Sequence, residues 1–194
     1  GERVLVHGAA GGVGTAVLEL SRLAGLEVYG TASGRNHELV ESLGAMPIDY
    51  TTEDFVARIA ALTGNGVDLV IDPVGGASHL WRSYRTLCAG GRLVWLGSAA
   101  VDRQGLRVGP LSMLTVSALR LLRDERGVPR CPVVAKYAQQ NPGWYRATLS
   151  ELLDLLVAGA ISPVIAERVP LEHAPRAHGM LERRGHRGKV VLVT

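Results

Sequence analysis

Lysine is nearly absent. The 194-residue chain carries only Lys136 and Lys189, so its basic charge rests almost wholly on arginine. The formal net charge of +3 is spread along the chain, and no basic face is interleaved with aromatic residues. Nucleic-acid binding needs such a face, so no nucleic-acid partner is expected. The densest basic stretch, Arg183, Arg184, His186, Arg187 and Lys189, stands just before the last expected strand. Cysteine is as scarce. Cys88 and Cys131 lie far apart and form no CxxC pair, which excludes a disulfide framework and suits a reducing cytoplasm. No apolar run reaches membrane-spanning length and no signal peptide is evident, so no membrane partner is expected. The chain starts at Gly1, directly before a strand, and is read as a piece or processed product of a longer protein.

What is present is an ordinary globular balance, 47% hydrophobic and 20% charged, which sets disorder aside. A chain of this size buries a core without disulfides or metals. Residues 4–7 form an apolar run, as in a strand buried on both faces. A glycine-rich turn follows, and then Val13, Ala16, Val17, Leu20 and Ala24 fall on one face of a helix. Further strands are expected at 27–32, 46–49, 67–72 and 92–97. Helices are expected at 36–43, from Phe55 through Leu62, and at 78–87. This alternation predicts an α/β fold, a doubly wound parallel sheet of the Rossmann type. Beyond Ser98 the pattern is less regular: a helix at 114–123, a strand at 127–134 and an amphipathic helix over 149–157. A strand at 163–169, a helix at 171–183 and a strand at 189–194 follow. The expected division is a dinucleotide-binding domain over 1–160 and a strand-helix-strand tail over 161–194.

The chemistry-bearing stretch is Gly8-Ala9-Ala10-Gly11-Gly12-Val13-Gly14. Ala9, Gly11 and Gly14 stand at the three glycine positions of a G-x-G-x-x-G fingerprint, with Ala first. The strand before and the helix after supply the context that fingerprint needs. Gly11 lets the backbone approach a pyrophosphate, and Gly14 lets the helix pack on the strand. Amides near Gly12 and Val13 then point at the anion from the helix N-terminus. A tight turn without a ligand would use the same residues.

The end of the second strand reads the ribose. An NAD site places Asp or Glu there, whereas this chain reads Thr31-Ala32-Ser33-Gly34-Arg35. With no carboxylate to repel a 2′-phosphate and Arg35 close by, NADP(H) is the expected cofactor. The missing acid also argues against a methyltransferase. Tyr29, Tyr50, Tyr84, Tyr137 and Tyr145 all lack a Lys four residues on, which argues against a short-chain dehydrogenase. Gly97-Ser98 is no nucleophile elbow, since G-x-S-x-G is absent. His173 and His178 are five apart and share a helix face poorly, and no other histidine pair has ligand spacing, so no metal is expected. Asp72 before Pro73 reads as a strand-end turn residue rather than a base. No catalytic residue is assigned.

Three blocks carry a resemblance: residues 8–14, Val67-Asp68-Leu69-Val70-Ile71-Asp72-Pro73-Val74-Gly75-Gly76, and Gly90-Gly91-Arg92-Leu93-Val94-Trp95-Leu96-Gly97-Ser98. Together with their spacing, they resemble the zinc-independent quinone oxidoreductase branch of the medium-chain dehydrogenase/reductase superfamily. Residues 141–194 are similar to the tail of that branch. The resemblance implies hydride transfer from NADPH to a quinone or an α,β-unsaturated carbonyl, a small-molecule substrate. It implies that Ala10, Gly11, Gly12 and Val13 hold the pyrophosphate. Ser33, Arg35 and Tyr50 would surround the 2′-phosphate, and Val74 and Gly75 would lie under the ribose. Leu96, Gly97 and Ser98 would line the nicotinamide end. Family members begin with a barrel-like catalytic domain to which the tail returns. Without it, strands 163–169 and 189–194 are expected to pair with each other, leave an open edge, or dock on another chain as in a homodimer. Departures from the family pattern are Arg35 and His37 where a Lys is common, Pro129-Arg130-Cys131-Pro132 in place of a more apolar stretch, and Pro175 inside the helix expected at 171–183. A non-enzymatic dinucleotide-binding module and the enoyl reductase of a synthase remain as alternatives.

Overall fold

The computed structural model describes residues 1–96, 114, 118, 134–183 and 185–194. Strand β1 (Arg3–Val6) shows why its sequence is apolar throughout: Val4, Leu5 and Val6 are fully buried. Val4 and Val6 face one side of the sheet, with Leu18, Val28 and Val40. Leu5 faces the other, with Tyr29, Ile48, Phe55, Ile59, Leu80 and Leu93. Two helical layers thus cover one sheet, and each fully buried aliphatic side chain contributes about 1.5–3 kcal/mol.

The elements alternate as expected: α1 (Gly12–Leu23), β2 (Glu27–Ala32), α2 (His37–Ser42), β3 (Met46–Asp49), α3 (Phe55–Thr63), β4 (Val67–Asp72), α4 (Ala77–Arg85) and β5 (Leu87–Trp95). The five strands pair in parallel in the order β3-β2-β1-β4-β5. This is the doubly wound Rossmann sheet read from the sequence. Its strand order reverses between β1 and β4, and open sheets of this kind bind ligands beyond the strand ends at that point.

Boundaries differ where side chains cap. Asp54 accepts a hydrogen bond from the Val56 amide (2.9 Å) and fixes the start of α3. Helix α1 closes in a Schellman motif, Gly25 N to Arg22 O and Leu26 N to Ser21 O. The helix expected at 36–43 is a short 3₁₀ turn (Gly34–Asn36) followed by α2. Strand β5 begins at Leu87 rather than at 92 and takes the last residue of the helix expected at 78–87.

In the second half, α5 (Val134–Gln140) and α6 (Pro142–Val157) precede β6 (Ile165–Pro170), α7 (Ala174–Glu182) and β7 (Lys189–Val193). Helix α6 starts well before the periodic stretch at 149, because Pro142 lacks only an amide hydrogen that a first helical turn leaves unpaired. Pro175 acts in the same way. The helix expected at 171–183 divides into a 3₁₀ turn (Leu171–His173) and α7, with Pro175 in the first turn of α7. Of the helix expected at 114–123, only Leu114 and Ala118 are described, both helical. The strand expected at 127–134 lies outside the described residues except Val134, which opens a helix. Among the described residues, no helix is long and apolar enough to cross a membrane.

Strands β6 and β7 pair with each other in parallel, the first of the three arrangements expected for them. They also dock on the first half. The Gly188 amide donates to Ala10 O (2.8 Å) and the Lys189 ammonium to Gly12 O (2.7 Å). The Ser162 amide donates to the buried carboxylate of Glu19 (2.6 Å) on α1. A side chain at 188 would put its Cβ 2.1 Å from Val164 O, so only glycine lets the tail pass there.

Candidate functional site

The glycine turn is a folded unit. The Ala9 amide donates to Thr31 O (3.0 Å), tying the turn to the end of β2. Within it, Gly11 N donates to Gly8 O and Thr15 N to Gly11 O, both at 2.9 Å. Helix α1 therefore starts at Gly12, with no side-chain cap and no acidic residue in its first turn. Its first amides lack helical partners, and the helix dipole adds partial positive charge at the same point. An anion is the natural occupant of that position.

A cavity of about 400 Å³ opens there. Ala10, Gly11, Ser33, Arg35, Tyr50 and Val74 line it, six of the residues expected from the sequence. Gly12 and Val13 stand beside it at the helix start rather than in its wall. Gly75 is also outside the lining, and its amide donates to Asp72 Oδ1 (3.0 Å). Leu96 lies at the end of β5, away from the cavity, with its amide on Asp72 O (2.9 Å). Gly97 and Ser98 lie outside the described residues.

The wall also holds residues that the sequence reading did not assign. Asn36 follows Arg35, and Leu181, Gly185 and His186 come from the tail. The tail is held by Arg187, whose guanidinium donates to Asn36 Oδ1 (3.1 Å) and to the Arg35 carbonyl. The dense basic stretch before the last strand was the available signal. It could not be placed, because these contacts span about 150 residues.

A second cavity of about 350 Å³ shares Gly8, Thr31, Tyr50 and Val74 with the first, so the two are ends of one cleft. Its floor is polar and buried. Thr31 Oγ1 lies 3.0 Å from His7 Nδ1, and His7 Nε2 lies 3.1 Å from Ser83 Oγ. The Ser83 hydroxyl donates to Asp72 Oδ2 (2.8 Å). One proton serves each hydroxyl, so this chain has a defined direction. Ser83 donates to Asp72 and must accept from His7 Nε2–H, which leaves Nδ1 to accept from Thr31. Asp72 Oδ1 accepts from the amides of Val74 (2.9 Å) and Gly75, the strand-end turn role expected of it. The chain thus connects the loop after β1 to the loop after β4, on both sides of the cleft.

Burial pushes the His7 imidazole down to about 3, against the pull of the Asp72 carboxylate, so His7 is neutral. His79, in the first turn of α4, is lowered by burial in the same way. Its Nε2 is 3.4 Å from Asp72 Oδ2 and has no hydrogen-bond partner among the described residues. His7, Asp72 and His79 bring three potential ligand atoms within 4.8 Å of one another. Local spacing gave no such group, because the turn after β1, the end of β4 and the start of α4 each supply one member. Burial, then Asp68, hold the Cys88 thiol above its ordinary value, which lowers its thiolate fraction.

A family model described as "Zinc-binding dehydrogenase" matches residues 43–192. The synaptic vesicle membrane protein VAT-1 homolog of Rattus norvegicus is 36% identical over 206 residues, covering 100% of this chain and 49% of its own length. The chain spans about half the length of the curated relatives it matches. Among solved structures, Escherichia coli quinone oxidoreductase complexed with NADPH matches with TM-score 0.80 and 28% identity, over 100% of this chain and 57% of that one. CurK enoyl reductase matches with TM-score 0.79 and 28% identity, over 99% of this chain and 54% of that one.

Proposed function

Because the chain belongs to the zinc-binding dehydrogenase family, as the cofactor-binding part of a medium-chain dehydrogenase/reductase, we propose that it binds NADP(H) within an oxidoreductase of quinones or α,β-unsaturated carbonyls. One observation carries this reading. The uncapped start of α1 faces the first cavity, whose lining includes Arg35 and no carboxylate. Ala10, Gly11, Gly12 and Val13 would hold the pyrophosphate, with Lys189 adding a cation beside Gly12. Ser33, Arg35 and Tyr50, joined by Asn36 and His186, would hold the 2′-phosphate end. The adenine would enter the second cavity, between Phe55, His79 and Arg82. Val74 and Gly75, fixed by Asp72, would support the ribose. Leu96, Gly97 and Ser98 are proposed for the nicotinamide end. The bound cofactor supplies the hydride; the protein orients it and excludes water. A carrier-linked enoyl reduction is the second reading, favoured by the likeness to CurK enoyl reductase.

Calorimetric titration with NADPH and NADH tests the reading, and NADPH is expected to bind more tightly. Arg35→Ala is expected to remove about 1.5–3 kcal/mol from NADPH binding, tenfold or more, and to leave NADH binding nearly unchanged. Equal losses for both cofactors would take Arg35 out of the phosphate site. A second substitution probes the turn. At Gly12 a new Cβ would stand 3.2 Å from the Lys189 side chain, 3.4 Å from Gly188 O and 3.9 Å from Gly188 C, so Gly12→Val requires the flexible Lys189 side chain to shift, and a thermal melt checks that the variant folds. Its methyl groups crowd the path of the pyrophosphate, and binding of both cofactors is expected to be lost. Unchanged affinity would refute the turn assignment.

A further inference from the structure

His7 follows β1, Asp72 ends β4 and His79 opens α4, so the sheet's switch point gathers two imidazoles and a carboxylate at the cleft. Asp72 Oδ2 and His79 Nε2 are 3.4 Å apart. Two donors on a tetrahedral ion with bonds of about 2.0–2.1 Å stand at about that separation. A buried polar atom without a partner calls for an explanation, and His79 Nε2 is one, beside the carboxylate. The outer contacts are also in place. Asp72 Oδ1 is held by the Val74 and Gly75 amides, which leaves Oδ2 facing the cluster. His7 Nδ1 is held by Thr31, and Nε2, on the cluster side, contacts the Ser83 hydroxyl (3.1 Å), which an ion would displace or take as a ligand. Such contacts orient metal ligands and fix their tautomers.

We propose that His7, Asp72 and His79 form a binding site for a divalent transition-metal ion of the zinc class. The fourth position falls to the Ser83 hydroxyl or to a water from the adjoining cavity, which both imidazoles line. Two imidazoles and one carboxylate suit zinc and its first-row neighbours, whereas calcium and magnesium prefer oxygen ligands throughout. Ligand exchange needs only local changes. The His7 proton moves from Nε2 to Nδ1, where Thr31 Oγ1 accepts it, and the His7 and His79 rings close on the ion. Burial disfavours the protonated form of both imidazoles, the direction that metal ligation requires. Arg82, shared between Asp54 and the Phe55 ring, lies near enough to weaken a cation's hold and sets an upper limit on affinity. Every ligand belongs to the protein, so the site is tested without cofactor, although His79 also lines the cavity proposed for the adenine.

Cobalt titration of the full 194-residue chain tests the site without any catalytic assay. Saturable binding of one ion per chain is expected, with the intense visible absorption of four-coordinate cobalt, reversed by added zinc. His79→Ala is expected to abolish the absorption and weaken binding about tenfold or more. Thermal unfolding checks that this variant folds, and His79→Asn, closer in size and polarity, serves if the alanine variant does not. His178→Ala, on the separate helix α7, is expected to leave the spectrum unchanged. No saturable absorption in the parent chain, or the same absorption in folded His79→Ala or His79→Asn, overturns the proposal.

Discussion

Gly14→Ala is expected to destabilise the protein by about 3 kcal/mol or more and to abolish dinucleotide binding with it. A Cβ at this position would stand 2.3 Å from Gly8 O and 2.7 Å from both Cα and C of Ala9. All three are backbone atoms of the turn that α1 must cross, so no side chain can rotate out of the way. Helix α1 would have to lift from β1, which would carry its first amides away from the anion position. In a chain of this size the loss corresponds to a fall in Tm of roughly 6–12 °C. Gly143→Ala is the control. It sits near the start of α6 with nothing within 4 Å of a new Cβ, and alanine there is expected to be neutral or stabilising by up to about 1 kcal/mol. Matched thermal melts decide the matter. Equal Tm values for Gly14→Ala and the parent would mean that the close approach of helix and turn does not bear on stability.

The contrast between those two glycines shows what a sequence can reveal. The run at 4–7, the turn at 8–14 and the helical periodicity after it are local patterns, and local patterns were enough for β1, α1 and the parallel sheet. Gly14 was legible because its neighbours in space, Gly8 and Ala9, are also its neighbours in the motif. The start of β5 was not, because Leu87 joins the sheet through pairing with Val67, and nothing near Leu87 in sequence records that pairing. The proline-started helices α6 and α7 obeyed a local rule that periodicity alone overlooks.

The candidate site divides in the same way. Ala10, Gly11, Ser33 and Arg35 lie on the two loops that the fingerprint itself predicts, and they line the cavity. His186 and Gly185 reach it because Gly188 and Lys189 hydrogen-bond to the glycine turn and Arg187 to Arg35 and Asn36. A tail assigned to a separate unit by its position in the chain therefore forms part of the wall. The buried polar chain was less legible still. His7, Thr31, Asp72 and Ser83 come from the turn after β1, from β2, β4 and α4, and each alone reads as an ordinary polar residue. Their alignment depends on the strand order, which places β1 between β2 and β4.

That buried chain carries the second large expectation, a steep loss of stability below about pH 6.5. His7 is buried, and its folded imidazole is pushed down to about 3 by burial first, with His79 and Arg82 acting in the same direction against Asp72. In the unfolded chain it titrates near its ordinary value of 6.5. Between those two values the unfolded state binds a proton that the native state refuses, so stability rises with pH across the window. The contribution is complete above about pH 6.5 and is lost progressively as pH falls toward about 3, at up to about 1.4 kcal/mol per pH unit. His79, lowered by burial, adds to the slope with the same sign. Asp49, Asp54 and Asp68 are held below their ordinary values by hydrogen bonds, and they act only at lower pH. Urea unfolding at steps from about pH 6.5 to about pH 5 therefore isolates the imidazoles. His7→Gln is expected to remove close to one proton from the slope in that interval, whatever its effect on stability at neutral pH. An unchanged slope would mean that His7 takes up its proton without unfolding the protein, and that the chain from Thr31 to Asp72 tolerates a charged imidazole at its centre.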